Sequence, residues 1–174
     1  MNSERRVGIL GGSFNPAHFG HIQLAHAAVQ TLKLDELLVV PAEQNPFKPD
    51  SELAPSEDRL EMLRLAEPAL PEAARIETFE LEHPPPSYTI DTVHDLRGRE
   101  EYADARLFLV MGLDTALQID QWKQVEELAE QCDLAVFRRK GIEARVEELR
   151  EVVELLGFNL HYYNADILEV SGSG

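Results

Sequence analysis

Cysteine is nearly missing from this chain: Cys132 is the single thiol in 174 residues. That excludes an internal disulfide and any multi-thiolate zinc or iron site, and it fits a reducing compartment. Inside the apolar run CDLAVF the thiol reads as a small buried hydrophobe. Long apolar runs are missing too. No segment approaches the roughly 18 apolar residues that a membrane span needs, and the opening MNSERRVGILGG has too short an apolar run for a secretory signal. The expectation is a cytoplasmic protein with no membrane partner. Positive charge is scarce: 16 Lys and Arg face 32 Asp and Glu, a formal net charge of −16. Such a field repels a nucleic-acid backbone, so nucleic acid is not expected as a partner. A small anion needs only a local cluster of helix N-termini and cations, because distant acids are screened beyond roughly 10 Å. Repeats, low-complexity tracts and Gly/Ser linkers are also lacking before the final SGSG.

What is present is an ordinary globular composition, 44% hydrophobic and 28% charged. A chain of this length buries about 70% of its unfolded surface around one core, so residues 1–174 are expected to form a single domain. Short β-branched or leucine-rich runs alternate with segments of helical period. Strands are predicted at Arg6–Leu10, Glu36–Pro41, Ala74–Phe79, Arg106–Met111, Asp133–Arg138 and Asn159–Tyr163. Between them Ile22, Ala25, Val29 and Leu32 share a helical face, as do Leu60, Leu63 and Ala66. The longest predicted helix runs from Ile142 to Leu156, with Gly157 as its C-cap. The alternation predicts an α/β fold: a Rossmann-like doubly wound domain with a mostly parallel sheet of five to six strands and helices on both faces. In such sheets ligands bind beyond the carboxyl ends of the strands. The two proline-punctuated loops, Ala42–Pro55 and Leu81–Tyr88, are the other places to look for a site.

The stretch VGILGGSFNPAHFGH ends the first strand with Gly11 and Gly12, turns through Asn15 and Pro16, and enters a helix near Gly20. Backbone can approach a ligand there, under a helix N-terminus that favours an anion. Neither the P-loop nor the dinucleotide glycine spacing matches. The distinguishing feature is His18 and His21, placed to donate to phosphoryl oxygens once an anion arrives. A zinc pair fits poorly, since no third ligand is near and helical pairs usually sit four apart. The other reading has one histidine closing the turn while its neighbour packs.

GGSFNPAHFGH closely resembles the H-x-G-H signature of the nucleotidylyltransferase superfamily. NPFK at Asn45–Lys48, PSYTIDT at Pro86–Thr92, GLD at Gly112–Asp114 with Trp122, and the helix SEDRLEMLRLA narrow the resemblance to the bacterial nicotinate mononucleotide adenylyltransferases. It runs over nearly the whole chain, in order. It implies transfer of AMP from ATP to nicotinate mononucleotide, with Mg2+ carried by ATP. The attacking phosphate oxygen is already ionised, so no general base is required. The resemblance implies that His18, His21 and Lys48 are catalytic. It also implies that Gly11, Gly12, Ser13, Phe14, Arg139, Ser171 and Ser173 join the two histidines around ATP. Ser87, Tyr88, Thr89, Asp114 and Trp122 are then the acceptor's residues. Each has a plainer reading beside it: a helix cap for Ser87, Thr89 or Asp114, a structural indole for Trp122, a solvated cation for Lys48, an ordinary basic turn for Arg138–Lys140. Arg59, in an acidic helix, is read as pairing with Glu52, Glu57 or Glu61.

The likeness breaks at the end. Family members carry Ser-Ser-Thr-x-Ile/Val-Arg and a further helix, whereas this chain reads EVSGSG, with hydroxyls at Ser171 and Ser173, Gly172 for a serine and no arginine. The expectation is a C-terminal tail cut short. Pantetheine-phosphate adenylyltransferase, which shares the first motif, and a nucleotide-binding homologue with weakened turnover remain the alternatives. The sequence leaves a homo-oligomer open.

Overall fold

The computed structural model describes residues 4–12, 14, 19–42, 55–83, 88–139 and 146–167, with only the backbone of residues 139 and 164–167. Six strands form one sheet: β1 Arg6–Gly12, β2 Glu36–Pro41, β3 Ala74–Ile76, β4 Arg106–Gly112, β5 Cys132–Arg139 and β6 Leu160–Ile167. Their order is β3-β2-β1-β4-β5-β6, and every neighbouring pair is parallel. The expected mostly parallel sheet is thus wholly parallel, as its near-continuous apolar strands require when both faces are covered.

Two cores lie on opposite faces. Helix α1 (Phe19–Leu32) and α2 (Ser56–Ala66) pack Ala25, Ala28, Leu32 and Leu63 onto one face, with Leu10, Val39, Phe108 and Phe137. The other face is covered by α3 (Thr89–Arg97), α4 (Leu113–Ala116), α5 (Val125–Gln131) and α6 (Val146–Leu156). They bury Ile90, Val93, Ala116, Leu128, Leu149 and Val153 against Ile9, Leu109, Leu134 and Val136. Cys132 belongs to this second core, where burial pushes its thiol up to about 12.

Some expectations need correction. The face of α1 that reaches the core is Ala25, Ala28 and Leu32, with Val29 only half-buried; small residues let the helix lie close to the sheet. β3 stops at Ile76 instead of Phe79. The reason is Glu77, whose buried carboxylate accepts the Phe79 N–H (3.0 Å) and an Arg99 N–H (2.7 Å), turning the chain into a 3-10 segment at Phe79–Glu82. Helix α6 ends as predicted: Gly157 has φ +88°, its N–H reaches the Glu154 carbonyl, and Phe158 N–H reaches Val153, a Schellman closure with an apolar contact beneath it. Ile142 lies outside the described residues.

At the amino ends of the strands, away from any ligand edge, Asp133 accepts hydrogen bonds from Arg106, Asn159 and His161. Burial works to raise the Asp133 carboxyl, but the His161 and Arg106 bonds outweigh it and hold it below the ordinary value. This knot fastens the starts of β4, β5 and β6 and leaves the opposite edge free for function.

Candidate active site

The chain runs outward from β1 to β3 and returns to β4 on the other side of β1, so the strand order reverses between β1 and β4. There the sheet parts. The β1–β4 ladder runs from Arg6↔Arg106 to Ile9↔Leu109 and goes no further. Yet β1 stays paired with β2 as far as Gly12↔Pro41, and β4 with β5 as far as Gly112↔Phe137. Three residues on each strand, Leu10–Gly12 and Val110–Gly112, therefore diverge at their carboxyl ends. Such a crevice at the switch point is where open α/β sheets bind ligands, and the glycines of the sequence motifs form its walls.

Beyond Gly12 the chain places Phe14 in the left-handed region, φ +49°, which a bulky residue rarely adopts and which marks functional sites. Its ring is 2% exposed and lies over Gly12, 3.4 Å from where a Cβ would stand. The ring also neighbours His21, centroid to centroid 4.9 Å and inclined 58°. His21 is the third residue of α1, half-buried in the first turn. The strand end, the strained phenylalanine and the helix start thus fix one imidazole beside the crevice. His18, Ser13, Lys48, Ser87, Ser171 and Ser173 lie outside the described residues, and of Arg139 only the backbone, closing β5, is described.

A second corner forms on the α3 side. Tyr88 occupies the N-cap of α3 with extended backbone, and among the described residues no side chain makes a capping bond to the helix. Thr89 is the first helical residue, so the plainer reading of Thr89 as the cap of α3 does not hold. Its first N–H groups meet no capping side chain among the described residues, and a helix start of this kind is a favourable seat for an anion. Tyr88 and Trp122 both pack, half-buried, against the second core. Lys123, next to Trp122, holds its Nζ 4.5 Å from the centre of the Tyr88 ring. Lys123 was missed in the sequence; a cation following the tryptophan was the only signal. Asp114 is exposed in the first turn of α4, whose N-cap is Gly112, so it does not cap that helix.

Arg59 also has a partner outside its own helix. It is 1% exposed, and its Nη1 donates to the Ala42 carbonyl at 2.7 Å, while Ala42 N–H bonds the Gly12 carbonyl at 2.8 Å. The guanidinium therefore ties α2 through the end of β2 to the tip of β1. Its i, i+4 spacing from Leu63 puts it on the buried face of α2, a signal masked by acidic neighbours that suggest an ion pair.

Glu80 lies just before the segment that leads to Tyr88. Burial pushes its carboxyl up to about 7, against the lowering effect of a 2.5 Å hydrogen bond from Thr92, with Asp91 adding to the rise. The folded state therefore holds a proton that the unfolded chain releases above about 4.5, so stability falls as pH rises from about 5 through 7. Glu80→Gln is expected to be more stable than the parent by about 2 kcal/mol at pH 8 and equal to it near pH 4.5, read from urea midpoints. Identical pH profiles for the two proteins would contradict this burial.

Among the described residues no group of three or more His, Cys, Asp or Glu could hold a metal ion, and no helix is long and apolar enough to cross a membrane.

A six-stranded parallel sheet that opens at its reversal point between glycine-ended strands is a nucleotide-binding α/β architecture. The chain belongs to the cytidylyltransferase-like family, whose model matches residues 9–172, and within it to the nicotinate-nucleotide adenylyltransferase relatives. A protein of Synechococcus sp. strain JA-3-3Ab, described as "Probable nicotinate-nucleotide adenylyltransferase", is 36% identical over 98% of this chain and 81% of its own length. One of the same description from Rhodopirellula baltica is 37% identical over 80% of this chain, which spans 64% of that protein. Among solved structures, Plasmodium falciparum nicotinic acid mononucleotide adenylyltransferase complexed with NaAD superposes with a TM-score of 0.75. The match covers 97% of this chain and 78% of that one, at 19% identity, a likeness of fold.

Proposed function

We propose that this chain transfers the adenylyl group of ATP to nicotinate mononucleotide, forming nicotinate adenine dinucleotide and pyrophosphate. The observation that carries the reading is the parting of β1 and β4 beyond Ile9 and Leu109, with His21 on one side and the start of α3 on the other. A phosphate oxygen of the mononucleotide attacks the α-phosphorus of ATP. The bond from that phosphorus to the bridging oxygen of the β-phosphate breaks, and pyrophosphate departs with the electron pair. No proton has to be removed from the nucleophile, so catalysis reduces to alignment and to stabilising charge.

In this reading His21 and His18 donate to the α- and β-phosphates, with Lys48 and Arg139 adding positive charge. Gly11, Gly12 and Ser13 bring backbone close to the triphosphate. Phe14 contributes through its backbone and by supporting His21, since its ring is buried. Ser171 and Ser173 supply hydroxyls on the ATP side. Mg2+ arriving with ATP would supply neutralisation of charge on the leaving group. The pyridine ring stacks on Trp122, its carboxylate faces the first N–H groups of α3 at Tyr88 and Thr89, and Ser87 and Asp114 bind polar groups of the acceptor. Lys123 adds a cation to that corner, which favours nicotinate over the neutral nicotinamide.

Mass-resolved products from ATP with nicotinate mononucleotide, nicotinamide mononucleotide or phosphopantetheine test this directly. Nicotinate adenine dinucleotide is the expected main product, with kcat/KM for the nicotinamide compound at least about tenfold lower. Dephospho-coenzyme A without a dinucleotide would transfer the chain to the pantetheine-phosphate reading.

A further inference from the structure

Buried polar atoms in folded proteins nearly always have partners. Two here have none among the described residues: the Nε of Arg138 and the hydroxyl of Tyr162. They belong to neighbouring strands. Val136 is in register with Tyr162, and alternation along β5 carries the same face from Leu134 and Val136 to Arg138. Tyr162 packs on that face, against the core beneath α3–α6. Arg138 stands one step nearer the carboxyl edge, where the β5–β6 ladder loses its register between Phe137 and Arg139. Irregularities of this kind re-aim side chains beside sites. Phe137 pairs with Gly112, so Arg138 lies one residue beyond the β4 wall of the crevice.

Several other arginines in the structure are engaged. Arg106 bonds Asp133, Arg99 bonds Glu77 and Asp95, and Arg97 bonds the carbonyls of Tyr102, Ala105 and Gln131. In a chain with 32 acidic residues, Arg138 has none of them within ion-pair distance among the described residues. A half-buried guanidinium near the ligand edge of the sheet and, further in on the same face, a buried phenol hydroxyl, both donors lacking acceptors among the described residues, ask for an anionic oxygen. In a nucleotide-binding crevice that oxygen belongs to phosphate.

We propose that Arg138, with Tyr162 as second donor, forms a subsite that holds a phosphoryl group of a bound nucleotide. The identity of the nucleotides rests on the adenylyltransferase reading, but the subsite is tested by binding without turnover. Calorimetric titrations of the parent, Arg138→Gln and Tyr162→Phe use three probes separately: ATP with Mg2+, inorganic tripolyphosphate and nicotinate mononucleotide. Arg138→Gln is expected to weaken a phosphate-bearing probe by roughly 10- to 100-fold, and Tyr162→Phe to weaken the same probe by about 3- to 10-fold. The ligand-free Tm of Tyr162→Phe stays level or rises, because the deleted hydroxyl had no partner. Losses for ATP and tripolyphosphate assign the subsite to the triphosphate; losses for the mononucleotide alone assign it to the acceptor phosphate. If Arg138→Gln does not fold, Arg138→Lys, which keeps the charge and removes Nε, is measured in its place and is expected to weaken the same probe. Parent-like binding of all three probes by the folded variants, or losses on different probes for the two residues, overturns the proposal. Binding losses in a protein that yields no dinucleotide leave the subsite standing and reject the catalytic reading.

Discussion

His21→Ala is expected to lower kcat for dinucleotide formation by about 10²- to 10³-fold, with the KM of either substrate changed much less. The magnitude is that of removing one preorganised donor from a developing negative charge. Two observations support assigning it to this ring. His21 lies in the first turn of α1, at the mouth of the crevice, and the Phe14 ring at 4.9 Å restricts where the imidazole can turn. Phe14 itself is held in a left-handed backbone conformation, strain that the surrounding apolar core sustains. An interaction made mainly in the transition state lowers kcat and kcat/KM together, whereas loss of ground-state binding raises KM. Steady-state kinetics with both substrates varied therefore separate the roles. A variant turning over within threefold of the parent would remove His21 from the chemistry.

Arg59→Ala should be the most destabilising single change in the described structure outside the apolar core, costing about 3 to 4 kcal/mol and roughly 10 °C in Tm. The side chain is 1% exposed and donates to the Ala42 carbonyl, so truncation leaves a cavity under α2 and an acceptor without its donor. Ala42 is in turn bonded to Gly12, and the loosening passes to the tip of β1. A raised KM for ATP should therefore accompany the lost stability. Arg59→Met, which keeps most of the volume, should recover part of the Tm and little of the KM. Differential scanning calorimetry with parallel kinetics provides both readings, and a Tm loss under about 2 °C for Arg59→Ala contradicts the tie.

Much of the architecture was legible because it follows from short-range physics. Strand β2 and helix α2 fall where apolar runs and helical period place them, and Gly157 closes α6 because only a residue tolerant of positive φ suits that turn. The misreadings share one cause. Arg59 and the end of β3 follow residue type and local spacing in the sequence, but in the fold each meets a partner far away along the chain. Arg59 bonds the Ala42 carbonyl, and Arg99 helps Glu77 turn the chain after Ile76.

From its order of residues alone the chain determined an alternating α/β fold, a glycine turn bearing histidines, and a charge balance hostile to polyanions, since these depend on composition and on period along the backbone. Tertiary structure alone decided that β1 and β4 part after Ile9 and Leu109, that Phe14 backs His21, and that Lys123 comes to lie over Tyr88. Those are distances between residues brought together by sheet order and helix packing. Local sequence period carries no information about them.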